Sequence, residues 1–320
     1  MKLFSSVHDI SNLKESVNQA LMLKADPFGH QKLGKNKTLG LVFLNPSLRT
    51  RLSTQKAALN LGMNVMVMNL DKEGWALETE DGVVMNGTTV EHIREAAAVM
   101  GEYCDILGFR SFPKLQNRDE DYSEGLFNKF VKFSGVPVIS LESATLHPLQ
   151  SFADLITIEE NKKIVKPKVV LTWAPHVKAL PQAVPNSFSE WMCRAQAEGM
   201  VDFVITHPQG LELAEKFTPG AKIEYNQDLA LQGADFVYAK NWSSYTDYGK
   251  TVSGAESWMM THKKLEQTHE AKVMHCLPVR RDFELSAEVL DGPHSIVIKE
   301  AANRVWSAQM VLKNMLEGLK

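Results

Sequence analysis

The sequence predicts an α/β fold with parallel sheets divided into two domains, and three observations predict it. Apolar runs of strand length alternate along the chain with amphipathic stretches of helical spacing, the pattern of strands covered by helices on both faces. The chain has 320 residues, long for one hydrophobic core, so two domains of ordinary size are expected. No internal period or low-complexity segment appears, which removes repeat architectures.

Taken in order, the first half should carry strands near 39–44, 64–69, 105–109 and 136–141, and helices near 48–61, 89–103 and 126–134. The run from Thr38 to Leu44 is apolar almost throughout; Leu52, Ala57, Ala58, Leu59 and Leu61 then recur at roughly helical spacing. Val90, Ile93, Ala96, Ala97 and Met100 give the next helix its apolar stripe. In the second half, strands are expected at 168–173, 201–206, 234–239, 272–276 and 295–298, and helices near 187–199, 211–217 and 301–318. The segment from Pro148 to Ile158 reads as a helix bridging two sheets. It sets domains of 1–147 and 148–300, with the closing helix, 301–320, assigned to the first.

A formal net charge of −3 leaves no electrostatic footprint for nucleic acid or a membrane surface, and no segment approaches the apolar length needed to span a bilayer. The first residues, Met1 to Asp9, lack the apolar run of a signal peptide, so a cytoplasmic protein is expected. Three widely spaced cysteines, Cys104, Cys193 and Cys276, fit neither a disulfide framework nor a zinc motif.

The stretch Phe43-Leu44-Asn45-Pro46-Ser47-Leu48-Arg49-Thr50 joins a strand to a helix, with Pro46 suited to a first helical turn and Ser47 to capping it. A helix entrance stabilises an anion through its unpaired N–H groups and partial positive charge. Ser47 and Thr50 add hydroxyls there, and Arg49 adds a planar fork suited to phosphate oxygens. Other chemically able residues also follow strand ends: Arg110, Glu142 and His147 in the first half, His176, Lys240, Cys276 and Arg280 in the second. Any one of them alone would more often be a satisfied polar residue. Ligands of open parallel sheets sit beyond the carboxyl ends of strands, so together they describe an anion site with acid and base groups at hand.

Three segments, Ser47-Leu48-Arg49-Thr50, His147-Pro148-Leu149-Gln150 and His275-Cys276-Leu277-Pro278, resemble in the same order the signature segments of carbamoyltransferases; Glu300-Ala301-Ala302-Asn303-Arg304 resembles the start of that family's closing helix. The resemblance covers essentially the whole chain. It implies two doubly wound parallel-sheet domains joined by interdomain helices, one for carbamoyl phosphate and one for an amino substrate, in a homotrimer with active sites between subunits. By the same resemblance Ser47, Leu48, Arg49 and Thr50 would hold the phosphate of carbamoyl phosphate. Arg110, His147 and Gln150 would reach its carbamoyl end, with Pro148 and Leu149 in the same segment, and Arg110 and His147 would polarise the carbonyl oxygen. Cys276 and Leu277 would receive the carbamoyl NH₂ on backbone carbonyls, before a Leu277-Pro278 bond that is cis in relatives, and Arg304 would add a contact. Thr50, Arg110 and His147 would be the catalytic group. The chemistry needs no metal, no cofactor and no covalent intermediate, because preorganised donors can stabilise both the oxyanion of the tetrahedral intermediate and the leaving phosphate. Thiol catalysis by Cys276 is not expected.

Ornithine carbamoyltransferases resemble this chain but carry an aspartate-containing segment ending in Ser-Met-Gly, where the run Tyr238-Ala239-Lys240-Asn241-Trp242 has a lysine instead. A lysine where an aspartate would meet an ammonium points to an acylated, neutral α-nitrogen and to carboxylates as partners. This is similar to the branch that carbamoylates N-acylated ornithine, in which Trp75, on the loop from Asp71 to Glu78, would enter the adjacent subunit's site. Glu142, His176, Lys240 and Arg280 would contact the acylated ornithine. Glu284 stands where the acetyl branch has a lysine, and the runs Ser151–Glu160 and Trp173–His176 look closer to the succinyl branch. Val90, in the region where the branches differ, matches neither the proline nor the glutamate expected there. The expected reaction is carbamoyl transfer to the δ-amine of N-succinyl-L-ornithine, giving N-succinyl-L-citrulline and phosphate in arginine biosynthesis, with N-acetylornithine as the alternative substrate. An alternative of another class is a non-catalytic ligand-sensing homologue, against which Arg49, Arg110, His147, Gln150 and Cys276 stand. A dinucleotide-dependent oxidoreductase would need a Gly-x-Gly-x-x-Gly turn after an early strand, and Asn45-Pro46-Ser47 is found instead.

Overall fold

The structure is a computed structural model that describes residues 1–319, the side chain of Asp71 excepted; Lys320, the last residue of the expected closing helix, lies outside the described residues. The chain forms two units. One comprises Met1–Lys114, Asp119–Leu149 and Arg304–Lys320, the other Leu115–Arg118 and Gln150–Asn303.

In chain order the elements are β1 (Leu3–Phe4), α1 (Leu13–Ala25), β2 (Thr38–Phe43), α2 (Arg49–Asn60), β3 (Asn64–Asn69), α3 (Leu70–Glu73), β4 (Leu77–Glu78), β5 (Glu91–His92), α4 (Ile93–Tyr103), β6 (Ile106–Arg110), α5 (Arg118–Tyr122), α6 (Gly125–Ser134) and β7 (Val138–Glu142). There follow α7 (Pro148–Asn161), β8 (Lys168–Trp173), α8 (Ala183–Ala197), β9 (Asp202–Thr206), β10 (Lys222–Glu224), α9 (Gln227–Leu231), β11 (Phe236–Lys240), α10 (His262–Leu265), β12 (Lys272–Met274), α11 (Ala287–Asp291) and α12 (Val297–Glu317).

The first unit's main sheet runs β1-β7-β6-β2-β3, all parallel. From β2 the chain steps outward to β3 and returns to β6 on the other side of β2, so strand order reverses between β2 and β6, the place where α/β sheets hold ligands. Leu39 to Phe43 of β2 are buried, as a strand covered on both faces requires, whereas edge strand β3 alternates between exposed and half-buried residues. Phe109 stacks on Phe130 with ring centroids 4.0 Å apart, and Ile93, Ala97 and Phe127 close the core around them. The second unit repeats the plan: its parallel sheet runs β10-β9-β8-β11-β12, with the reversal between β8 and β11.

Several expectations are corrected. The helix expected from 89 begins at Ile93, because Glu91 and His92 pair in parallel with Leu77 and Glu78, and Val90 is exposed. Helix α2 starts at Arg49 with Leu48 at its cap and no side-chain cap bond, so Ser47 does not cap it. Leu52 and Leu59 face outward, while Ala57, Ala58 and Leu61 fill the core. The strand expected at 295–298 is a single bridge from Ser295 to Val273, after which α12 begins at Val297; a β-branched pair at a helix start had imitated a strand. The helix expected at 211–217 is only a 3₁₀ turn over Glu215–Phe217, since Pro219 disfavours a helical conformation at Thr218.

Helices α4 and α6 meet where Gly101 lies against the backbone of Ser134, and a Cβ on Gly101 would stand 1.8 Å from the Ser134 carbonyl oxygen. Gly101→Ala should therefore destabilise the protein by about 3 kcal/mol through overpacking, read as a lower urea midpoint at unchanged slope. A midpoint equal to that of the parent would contradict this packing.

Candidate active site

In the first unit the site is built on the carboxyl ends of β2, β6 and β7. Thr50, on the first turn of α2, is buried, and its hydroxyl accepts from Arg304 Nη2 on α12 and from Arg110 Nη1 at 3.4 Å. Arg110 ends β6, where the register with β7 slips and sets it opposite Glu142. Its Nη1 donates to Glu142 Oε2 at 2.5 Å, and its guanidinium lies 4.4 Å from the Phe112 ring centroid. Both ends of that ion pair are buried, so removing either would strand an uncompensated charge.

His147 sits among these groups. Burial pushes its pKa well below the ordinary imidazole value, and the nearby guanidinium groups of Arg304, Arg110 and Arg49 push it the same way. The ring is therefore neutral at pH 7. Arg304 Nη2 lies 3.3 Å from its Nε2 and can only donate, so Nε2 accepts and the proton resides on Nδ1. For the same reason the 3.4 Å approach of Nε2 to Glu142 is not an ion pair. Arg110 Nε and His147 Nδ1 are buried donors with no hydrogen-bond partner among the described residues. The guanidinium groups of Arg49, Arg110 and Arg304 near this ring make a donor-rich, positive field that suits a phosphate. Ser47 is half-buried and Leu48 exposed on the turn into α2.

The turn between Glu142 and His147 is held by a residue that pattern reasoning missed. Glu124, at φ 52° just before α6, accepts from Ser143 Oγ at 2.6 Å and from Thr145 N at 2.7 Å. A non-glycine residue in the left-handed region is a local cost that such bonds offset. No motif announced it.

The second unit gathers the other expected residues. Pro148 and Leu149 open α7, ahead of the unit's first α7 residue, Gln150. Gln150 Nε2 donates to Asp154 Oδ1 at 2.8 Å and to Glu300 Oε1 at 3.2 Å, and Glu300 Oε2 accepts the backbone N–H of His275 at 2.8 Å. Leu277 has φ 55° and precedes a cis bond to Pro278; its N–H donates to His275 Nδ1 at 2.9 Å. That leaves the His275 proton on Nε2, facing Glu284 Oε1 at 3.4 Å. Glu284 also accepts from Arg280 N at 2.8 Å, so it braces the segment from inside the core. Burial alone would raise the Glu284 carboxyl, but His275, Lys240 and the Arg280 N–H outweigh it and bring it to about 2. Lys240, buried at the end of β11, also opposes burial at Cys276, whose thiol nevertheless stands at about 11 and is neutral at pH 7. Arg280 Nε donates to His176 Nε2 at 3.2 Å. Asp154 is the other residue that went unread, although its place four residues after Gln150 on a helix was a usable signal. Among the described residues no group of His, Cys, Asp and Glu is arranged to hold a metal ion, and no helix is long and apolar enough to cross a membrane.

Two doubly wound units with an arginine-lined helix entrance at a topological switch point define an α/β protein built around a phosphorylated ligand, and the chain belongs to the aspartate/ornithine carbamoyltransferase family. Residues 2–160 match the family's carbamoyl-P binding domain and residues 186–315 its Asp/Orn binding domain. Within that family the chain is 55% identical to the N-succinylornithine carbamoyltransferase of Bacteroides thetaiotaomicron, over 100% of both chains. It is 35% identical to the N-acetylornithine carbamoyltransferase of Xylella fastidiosa, over 92% of this chain and 93% of that one. Among solved structures, a variant of N-acetyl-L-ornithine transcarbamylase complexed with carbamyl phosphate and N-succinyl-L-norvaline superposes with a TM-score of 0.91 at 32% identity, covering 98% of this chain and 100% of the other.

The state of His147 has a measurable consequence. Below the ordinary imidazole value of about 6.5 the unfolded chain takes up a proton that native His147 refuses, so stability falls as pH drops below that value, by up to about 1.4 kcal/mol per pH unit for this residue. His147→Gln should flatten the fall by that amount in urea unfolding between pH 5 and 7.5. A residual slope should persist from His176 and His207, whose pKa values burial also lowers. An unchanged slope in the variant would show that His147 is not held neutral.

Proposed function

We propose that the protein transfers the carbamoyl group from carbamoyl phosphate to the δ-amine of N-succinyl-L-ornithine, giving N-succinyl-L-citrulline and phosphate, as a cytoplasmic homotrimer in arginine biosynthesis. The observation that carries the reaction is the convergence of Arg110 and Arg304 on the Thr50 hydroxyl beside two buried donors, Arg110 Nε and His147 Nδ1, that have no hydrogen-bond partner among the described residues. The full-length similarity to N-succinylornithine carbamoyltransferases supports the acyl group. Val90, which matches neither residue expected there, does not contradict it: alanine, valine, proline and serine variants at one glutamate of N-acetyl-L-ornithine transcarbamylase are all complexed with N-succinyl-L-norvaline.

In this reading Ser47, Leu48, Arg49 and Thr50 bind the phosphate at the entrance of α2, and Arg304 adds its guanidinium. Arg110 and the neutral His147 donate to the carbonyl oxygen, where charge grows as the amine attacks, which is where preorganised donors lower the barrier most. A neutral imidazole suits this role, because a cation would bind the dianionic ground state as strongly. Glu142 fixes Arg110 and offers a carboxylate to the attacking amine, while Cys276 and Leu277 take the carbamoyl NH₂ on their backbone carbonyls. The tetrahedral intermediate collapses with cleavage of the C–O bond; phosphate leaves with the electron pair and takes up the proton that the amine gives up. Lys240, Arg280 and His176 meet the carboxylates of the acylated ornithine. The trimer is supported by the outward apolar face of Leu48, Leu52 and Leu59 on the turn and α2, with Met66 and Met68 on edge strand β3 beside them. Trp75 is 57% exposed, and its Nε1 donates to Glu91 at 2.8 Å, so its ring is held outward for a neighbouring subunit.

Purified protein given carbamoyl phosphate should release phosphate with N-succinylornithine, more slowly with N-acetylornithine, and negligibly with ornithine. Equal turnover of free ornithine would remove the substrate assignment.

For the shared site, Arg49→Ala and Trp75→Ala should each lose at least about tenfold in turnover. Mixed after dissociation and reassociation, the two should recover part of it, because hybrid trimers contain some sites with both residues intact. No recovery would place Trp75 in its own subunit's site.

A further inference from the structure

Gln150 is buried, and the two N–H bonds of its amide are spent on carboxylates, one on Asp154 and one on Glu300. A carboxylate can only accept, so this pair dictates which end of the amide faces which way. The carbonyl Oε1 is the atom left over, buried and without a hydrogen-bond partner among the described residues. Glu300 does a second thing: its other oxygen holds the backbone N–H of His275, the residue that starts the Cys276-Leu277 turn. One buried carboxylate thus orients both the Gln150 carbonyl and the segment carrying the Cys276 and Leu277 carbonyls. Negative charge in this cluster is felt beyond it: burial holds the Tyr238 hydroxyl well above its ordinary value, and Asp154, Cys276 and Glu300 add to the effect.

We propose that Asp154 and Glu300 are positioning residues that fix the Gln150 amide with its carbonyl oxygen as the free acceptor, so that this chain selects an acyl phosphate whose non-leaving substituent is a hydrogen-bond donor, carbamoyl phosphate over acetyl phosphate. The inference rests on the reading above that the Cys276-Leu277 turn receives the carbamoyl NH₂, and it adds the Gln150 carbonyl to that set. Carbamoyl phosphate and acetyl phosphate share a phosphate and a carbonyl of nearly the same shape, so contacts to those groups cannot separate them. Only a set of acceptors with no donor among them can. A site of buried acceptors left unpaired by a methyl group rejects it strongly, whereas an amide free to turn loses that penalty.

The test compares acetyl phosphate, as a competitive inhibitor, with carbamoyl phosphate, as substrate, on the full-length enzyme. In the parent, the inhibition constant of acetyl phosphate should exceed the KM for carbamoyl phosphate by more than about tenfold. In Glu300→Gln, whose amide can donate as well as accept, that ratio should fall by about tenfold through a rise in the KM for carbamoyl phosphate, and Asp154→Asn should move it in the same direction. Loss of both affinities in proportion, with the ratio unchanged, would mean that the pair only supports the fold and would overturn the proposal. So would a parent enzyme that binds the two acyl phosphates equally, an arm that stands even where neither variant folds. A parent with no carbamoyl transfer to any N-acylornithine would instead defeat the underlying functional reading, and that is seen before acetyl phosphate is added.

Discussion

The first unit depends on holding several guanidinium groups together out of water. Like charges at that distance repel, and desolvation adds to the cost. Three features offset it: the Glu142 carboxylate paired with Arg110, the Thr50 hydroxyl accepting from both Arg110 and Arg304, and an imidazole that stays uncharged. Together the guanidinium groups set a positive field. The neutrality of His147 follows from that field and from burial together.

The second unit solves the opposite problem with the same economy. Its buried carboxylates, Asp154, Glu284 and Glu300, spend themselves on N–H groups of Gln150, His275 and Arg280. Those bonds brace the turn that carries Cys276 and Leu277. Cys276 sits in that turn as a neutral thiol.

The strand-to-helix turn at Ser47–Thr50 and the residues following β6, β7, β8, β11 and β12 were legible in the chain because parallel strands buried on both faces leave continuous apolar runs, and their ends mark the ligand side of the sheet. Errors fell where local preference and tertiary pairing disagree. Val297 and Ile298 have β-branched side chains yet begin a helix of 21 residues. Val90 has an apolar side chain at helical spacing yet stays exposed, because Glu91 and His92 pair with Leu77 and Glu78 instead of joining α4.

By itself the sequence determined the two-sheet architecture, the phosphate-suited helix entrance and the residue types that carry the chemistry, because hydrophobic period and turn residues are local properties. Only the tertiary structure decided the protonation state of His147, the tautomer of His275, the orientation of the Gln150 amide and the commitment of Glu142 to Arg110. Each involves a partner far away in the chain or a local bond that forms only in the fold: Arg304 for His147, Glu300 for Gln150, Glu142 for Arg110 and the Leu277 N–H for His275. Spacing along a chain cannot report a field or a hydrogen bond that exists only once strands far apart in sequence lie side by side.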